Sequence, residues 1–221
     1  QSECFHPNIP FVKTWIHNGY VMSEGEKMSK SLGNFYTVND LLKEFPGEAL
    51  RLALLASHYR QPLDFSKDGT QEAISRLDRY YLALKVLEED LDQKKLISSN
   101  ISDDFGASLL DDLNTPAALT VLDKQSTIII NASSPEGRDK IGRAFIQNAN
   151  LLGLLSNGST YWHKRGTTES EQLYIDQMIK KRINAREKRD FVEADRIRDE
   201  LLLKKIILED GPGGTVWRRG G

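Results

Sequence analysis

From Ser66 onward the apolar positions recur every three or four residues. Ile74, Leu77, Tyr81, Leu84, Leu87 and Leu91 form one stripe, the mark of a long amphipathic helix. A shorter run with the same period, Val38, Leu41, Leu42 and Phe45, stops at Pro46-Gly47, and a second helix from Glu48 to about His58 carries Leu50, Leu54 and Leu55. Asn114-Thr115-Pro116 and Ser134-Pro135-Glu136 are helix starts, because a first-turn amide has no intrahelical partner and proline lacks one anyway. The second of these opens a helix bearing Ile141, Phe145, Ala149 and Leu152. The first 25 residues lack this period. Phe11-Val12, Trp15-Ile16 and Tyr20-Val21-Met22 read as extended chain broken by the turn dipeptide Asn18-Gly19.

The tail predicts a small α+β unit. Helices over Glu169–Lys188 and Asp190–Lys204 precede Ile206-Ile207-Leu208, a Gly211-Pro212-Gly213-Gly214 turn and a returning strand Thr215-Val216-Trp217, with Trp217 as hairpin core. Asn157 to Ser170 is rich in Gly, Ser and Thr without a period and reads as a linker. The expected division is 1–35, 36–65, a helical bundle over 66–156, a linker over 157–168 and the α+β unit over 169–221, a mainly α chain.

Composition narrows the class without choosing a function. The 221 residues are 39% hydrophobic and 28% charged with net charge −2, enough apolar material for a core. No stretch approaches the roughly 18 apolar residues of a membrane helix, and no leader resembles a signal peptide. The single cysteine, Cys4, excludes an internal disulfide framework and fits a reducing compartment such as the cytoplasm. Because Gln1 rather than Met comes first, the chain is expected to be a piece of a longer one.

The near-neutral total hides a local surplus. Between Lys180 and Lys205 ten Lys/Arg face six acids. Such clustering suits a polyanion partner, and a solvated helix with alternating charges is the other reading.

The segment Gly25-Glu26-Lys27-Met28-Ser29-Lys30-Ser31-Leu32-Gly33-Asn34 is the most informative. Its lysines and serines lie on a short loop between a strand and a helix, flanked by glycines that can act as hinges. Ammonium groups, amides and hydroxyls gathered there could hold a polyphosphate and stabilise charge developing on a leaving pyrophosphate. A solvated polar loop is the alternative for an arbitrary Lys/Ser-rich stretch. The word Lys27-Met28-Ser29-Lys30-Ser31 is more specific, arising by chance on the order of once in 10⁴ chains of this size.

That word resembles the signature loop of class I aminoacyl-tRNA synthetases. Trp15-Ile16-His17-Asn18-Gly19 before it and Ser57-His58-Tyr59-Arg60-Gln61-Pro62-Leu63-Asp64-Phe65-Ser66 after it narrow the resemblance. So do the stretch from Asp190 to Leu201, Ile207-Leu208-Glu209-Asp210-Gly211-Pro212 and Thr215-Val216-Trp217-Arg218-Arg219. Together they resemble the C-terminal half of the cysteinyl-tRNA synthetases. The resemblance implies the end of a Rossmann-type catalytic domain with its signature loop, a stem-contact connecting region, a helical bundle and an anticodon-binding module.

It further implies ATP-dependent ligation of cysteine to tRNA(Cys) through a cysteinyl-adenylate, in a cytoplasmic monomer using ATP with Mg2+. Lys30 is then the lysine on ATP and, with Lys27, a catalytic group; Met28, Ser29 and Ser31 complete the ATP-binding loop. The family's other nucleotide motif and the Zn2+ ligands that select a thiolate are expected upstream of residue 1, with no metal ligand in this segment. The segment alone is therefore expected to be inactive.

In the tail, the resemblance puts Arg186, Phe191, Asp195 and Asp210 in the anticodon pocket. Rings stack on unpaired bases, while Arg and acids read base edges. Relatives often carry Trp at the position of Phe191, which is alternatively a core anchor packing on Ala194, Ile197 and Leu201. Cys4 and His6 are too close together for one tetrahedral site and lack a third ligand nearby, so a structural reading is preferred. His58 is expected at a helix end, where a partial positive charge suits the dipole, as a structural or tRNA-stem contact. Two alternatives remain. One is a related ligase joining cysteine to an amino-sugar, against which the tail argues; the other is a non-catalytic RNA-binding remnant.

Overall fold

The computed structural model describes residues 2–6, 10–23, 25–29, 31–90, 101–211 and 214–220. It is mainly helical, with a three-stranded sheet near the start and a two-stranded hairpin at the end. Lys30, Leu91, Pro212 and Gly213, all used above, lie outside the described residues.

After a one-turn helix α1 (Ser2–Phe5), the chain to Tyr20 makes no strand among the described residues. The expected extended segment is regular only at β1 (Val21–Ser23), which pairs antiparallel with β2 (Glu26–Lys27) and parallel with β3 (Leu63–Phe65). A parallel pair needs a crossover, and here it consists of α2 (Val38–Glu44) and α3 (Gly47–Leu55). Thr37 caps α2 by accepting from the Asp40 amide at 3.1 Å. Gly19 is required where β1 begins: a Cβ there would lie 2.1 Å from the Gln61 carbonyl oxygen, and its amide donates to Tyr59 O at 2.7 Å.

The bundle is built on α4 (Lys67–Asp90), against which pack α6 (Thr115–Asn131), α7 (Pro135–Leu151) and α8 (Ser159–His163), while α5 (Asp103–Leu110) packs on α6. The predicted caps operate: Asn114 accepts from the Ala117 amide at 3.1 Å and Ser134 from the Gly137 amide at 3.3 Å. The stripe on α4 is buried together with Phe105, Phe145 and Trp162. Tyr81 stacks on Trp162 at 4.8 Å and donates its hydroxyl to Glu48 at 2.7 Å, tying α3, α4 and α8 together. Burial pushes the Glu48 carboxyl above its ordinary range against those hydrogen bonds. The 157–168 stretch is thus not a bare spacer: Trp162 needed an apolar partner, and α4 supplies it.

The last unit pairs α9 (Glu169–Glu187) with α10 (Phe191–Leu203) and lays both on the hairpin β4 (Ile206–Gly211) and β5 (Gly214–Arg219). Thr168 and Glu171 form a reciprocal capping box at the start of α9. Ile175, Ile179, Ile197, Leu201, Ile206 and Trp217 make a second, separate core. Trp217 is buried there as expected and donates Nε1–H to Asp176 at 3.1 Å. Polar links join this unit to the bundle and the stretch after α8: Lys85 pairs with Glu209 at 3.8 Å, Arg219 donates to Gly166 O at 2.8 Å, and Lys164 lies over the Trp217 ring.

Candidate functional site

The loop from Gly25 to Asn34 leaves the edge of the first sheet and is tied at both ends. Gly25, at φ +83°, donates its amide to the Asp64 carboxylate on β3 at 3.1 and 3.3 Å. Met28 donates its amide to Val21 O at 3.1 Å and packs its side chain on Leu41, Leu50 and Phe65. Asn34 closes the other side. Its Oδ1 accepts from the Ser29 amide at 2.9 Å, and its Nδ2 donates to Lys27 O at 3.4 Å.

Between these ties Lys27 and Ser31 are exposed and Ser29 is partly buried. Lys27 is exposed with its ammonium 5.9 Å from the Tyr20 ring centre, and the Ser29 and Ser31 hydroxyls lie 3.2 Å apart. Chemically the loop offers an ammonium, two hydroxyls and a carboxylate-anchored turn to an anion. Asp64 and Asn34 were not singled out in the sequence. The Gly-flanked loop needs partners for its turn amides, and a nearby Asp or Asn was the signal available.

Just before β3, residues 58–60 grip one acid. His58 Nε2 lies 3.0 Å from Asp112 O, Tyr59 OH donates to Asp112 Oδ1 at 2.6 Å, and Arg60 Nε donates to Oδ2 at 2.6 Å. These hydrogen bonds, Arg60 first, bring the Asp112 carboxyl down to about 2. Asp112 and Leu113 hold left-handed φ of 51° and 55° between α5 and α6, so the grip stabilises a turn that L residues disfavour. The expected dipole role of His58 is corrected: α3 ends at Leu55, and the ring faces the Asp112 turn instead.

In the tail, Arg186 and Asp210 meet at 2.9 Å. Asp210 also accepts from Arg182 Nη1 and Nη2 at 2.9 Å each and from Thr215 Oγ1 at 2.7 Å. Two oxygens with four donors have little acceptor capacity left. The Arg182 hydrogen bonds, then that of Thr215, hold the Asp210 carboxyl well below the usual carboxylate range. Asp195 adds a negative charge near Arg182. Phe191 opens α10 one turn before Asp195 and is 61% exposed, so the core-anchor alternative for this ring does not hold. The sequence reading missed Arg182, although its spacing of four from Arg186 on a helix already placed both on one face.

Among the described residues no three His, Cys, Asp or Glu side chains group as a metal site, and Cys4 is exposed and unpaired with another cysteine. No described helix is long and apolar enough to cross a membrane.

Comparison with known proteins adds to this geometry. Residues 1–75 match the family described as tRNA synthetases class I (C) catalytic domain. The whole chain is 43% identical over 225 residues to a cysteine–tRNA ligase of Paramagnetospirillum magneticum, covering 100% of this chain and 48% of that protein. It is 39% identical over 221 residues to the cysteine–tRNA ligase of Rickettsia canadensis, covering 100% of this chain and 46% of that protein. The chain thus resembles the C-terminal half of these ligases and spans about half the length of the curated relatives it matches.

Proposed function

We propose that this chain is the C-terminal half of an ATP-dependent ligase joining cysteine to tRNA(Cys), combining the phosphate loop of a catalytic domain with an RNA-reading tail. The observation that carries the reading is similarity along the whole chain to cysteine–tRNA ligases, with the Lys27–Ser31 signature on a loop anchored to a sheet edge. The β1–β3 parallel pair with its helical crossover is consistent with the last strands of a Rossmann-type domain.

In the reaction, the cysteine carboxylate attacks the α-phosphate of ATP, pyrophosphate leaves, and the aminoacyl group then passes from the adenylate to tRNA with release of AMP. Lys30 and Lys27 act on the triphosphate, where negative charge moves onto the departing pyrophosphate. Ser29 and Ser31 supply hydroxyls, and Met28 fixes the loop's base in its apolar seat. Asp64 and Asn34 are positioning residues that hold the loop at its two ends. Mg2+ and Zn2+ belong to this reading through the family alone. Among the described residues no three His, Cys, Asp or Glu side chains group around one position.

In the tail, Phe191 offers an exposed ring for stacking on an unpaired base, Asp195 lies one turn further along α10, and Arg186 in the last turn of α9 offers a guanidinium. Because its oxygens are already filled, Asp210 acts by aiming Arg186 rather than by touching a base. The test is binding of tRNA(Cys) transcripts to this chain. Cognate RNA should bind more tightly than transcripts altered at the anticodon, and Phe191→Ala should erase much of that difference. Equal binding of all transcripts would remove the tail from base reading.

A further inference from the structure

Between the α2–α3 turn, α8 and the base of the hairpin lies a cleft of about 680 Å³. We propose that this cleft binds the phosphodiester backbone of RNA, with Lys205 and Arg219 as its phosphate ligands. The proposal rests on the tRNA reading above and extends it to a surface outside both the loop and the pocket at the hairpin tip.

The two carboxylates of the lining are occupied by the protein itself. Glu44 pairs with Lys67 at 2.5 Å, and Glu48 accepts from Tyr81 and from the Leu155 amide at 2.7 and 2.6 Å. The cations divide differently. Arg165 is spent on Asp78 and on the face of Trp162, and Lys43 on Asp40. Arg219 gives one N–H to Gly166 O at 2.8 Å, and Lys205 is fully at the surface. Among the described residues neither Lys205 nor Arg219 stands in an ion pair. The cleft thus has one ion-paired acid, one acid held by hydrogen bonds within the protein, and two cations without an ion-pair partner among the described residues, a wall suited to an anion.

Backbone conformation points the same way. Lys205 closes α10 at φ +60°, a position that glycine fills at no steric cost, so a lysine there carries a local penalty. A cation near a helix C-terminus is favoured by the dipole, which offsets part of that penalty without requiring the cleft. Tyr161, 65% exposed on α8 at the cleft, adds a ring face that a nucleotide can lie against.

Position supplies the partner. Register pairs Ile206 with Arg219 at the hairpin base and Gly211 with Gly214 at its tip, next to Asp210. The other wall is the α2–α3 turn, in the crossover that follows the signature loop. The cleft is bordered by both the hairpin base and the α2–α3 turn, so an RNA running along this face from the tip towards the catalytic end crosses it, and the part of RNA present all along such a path is its backbone.

The test uses this chain with a tRNA(Cys) transcript over a salt series, comparing Lys205→Gly, Arg219→Gln, the double variant and the control Lys140→Ala. Lys205→Gly should keep or raise the melting temperature, because it relieves the left-handed lysine. The double variant should bind about tenfold more weakly near 100 mM salt. The slope of log affinity against log salt should flatten by roughly 0.7–0.9 for each lost phosphate contact. Its preference among anticodon variants should be unchanged, since backbone contacts position without specifying. If Arg219→Gln melts early, Lys205→Gly alone carries the comparison. Wild-type binding with an unchanged slope in the variants, or an equal change in Lys140→Ala, overturns the cleft while leaving the tRNA reading intact. No tRNA binding by the wild-type chain overturns both.

Discussion

Asp210→Ala is the sharpest perturbation of the tail, because it separates support from reading. Removing the carboxylate strands Arg182, whose side chain is only 8% exposed, and frees Arg186 and Thr215 from their common anchor. A fully buried pair stripped of one partner loses about 3–5 kcal/mol. Asp210 is itself 43% exposed and keeps part of its water, so the expected loss is discounted to about 1–2 kcal/mol.

Urea unfolding followed by tryptophan fluorescence measures this, since Trp217 sits in the same small core. The deficit should depend on pH with a definite sign. The folded carboxyl titrates well below its unfolded value, so its stabilisation is fully present above about pH 4 and is lost progressively below that, as pH falls towards the depressed folded value. The variant and the wild type should therefore converge in acid. RNA affinity at neutral pH should fall through the misaimed Arg186, and Arg186→Ala in the Asp210→Ala background should add little further loss. A variant as stable as wild type at pH 7, or a deficit that grows in acid, would refute the anchoring argument.

Three further outcomes follow from other parts of the molecule. Asn34→Ala removes the acceptor of the Ser29 amide and the donor to Lys27 O, each such bond contributing about 1 kcal/mol. In the full-length enzyme it should lower the rate of pyrophosphate exchange severalfold with little change in tRNA affinity, and unchanged exchange rates would remove Asn34 from loop positioning. His163 is buried between α8 and β5, facing Lys85, Glu209, Asp78 and Arg218, and desolvation followed by Lys85 lowers its pKa below 6.5. Its neutral form is favoured in the fold, so stability should fall as pH drops below about 6.5, and His163→Gln should flatten that part of a melting-temperature profile. Gly19→Ala places a methyl 2.1 Å from the Gln61 carbonyl oxygen and should cost about 2 kcal/mol or more, read as faster proteolysis before residue 65; wild-type resistance would contradict the close approach.

Periodicity made the helices of this chain legible, while the shorter features depended on partners far away in sequence. The α4 stripe and the caps at Asn114 and Ser134 are local rules and stand in the structure as read. β3 was not legible, because three residues inside Leu63-Asp64-Phe65 become a strand only by pairing with β1 some forty positions earlier. α5 lacked an apolar run long enough to announce itself and is fixed by burying Phe105. The linker reading failed at Trp162 for a related reason: Gly, Ser and Thr set the local tendency, and one buried ring overrode it.

At the candidate site the signature word was readable, whereas its supports were not. Asp64 reaches Gly25 across 39 positions, and Tyr59 and Arg60 reach Asp112 across more than fifty. The acids singled out in the tail were legible by type, but the saturation of Asp210 by Arg182, Arg186 and Thr215 is a property of the folded hairpin. Arg182 itself could have been found from its helical spacing to Arg186.

The central claim is that the Lys27–Ser31 loop works on the phosphates of ATP for cysteine activation. Its most direct measurement is cysteine-dependent exchange of labelled pyrophosphate into ATP by the full-length protein, with and without Lys30→Ala. The account predicts exchange that needs cysteine and drops by orders of magnitude in the variant, while tRNA affinity stays near wild type. Exchange indifferent to cysteine, or a Lys30→Ala protein as active as its parent, would contradict it.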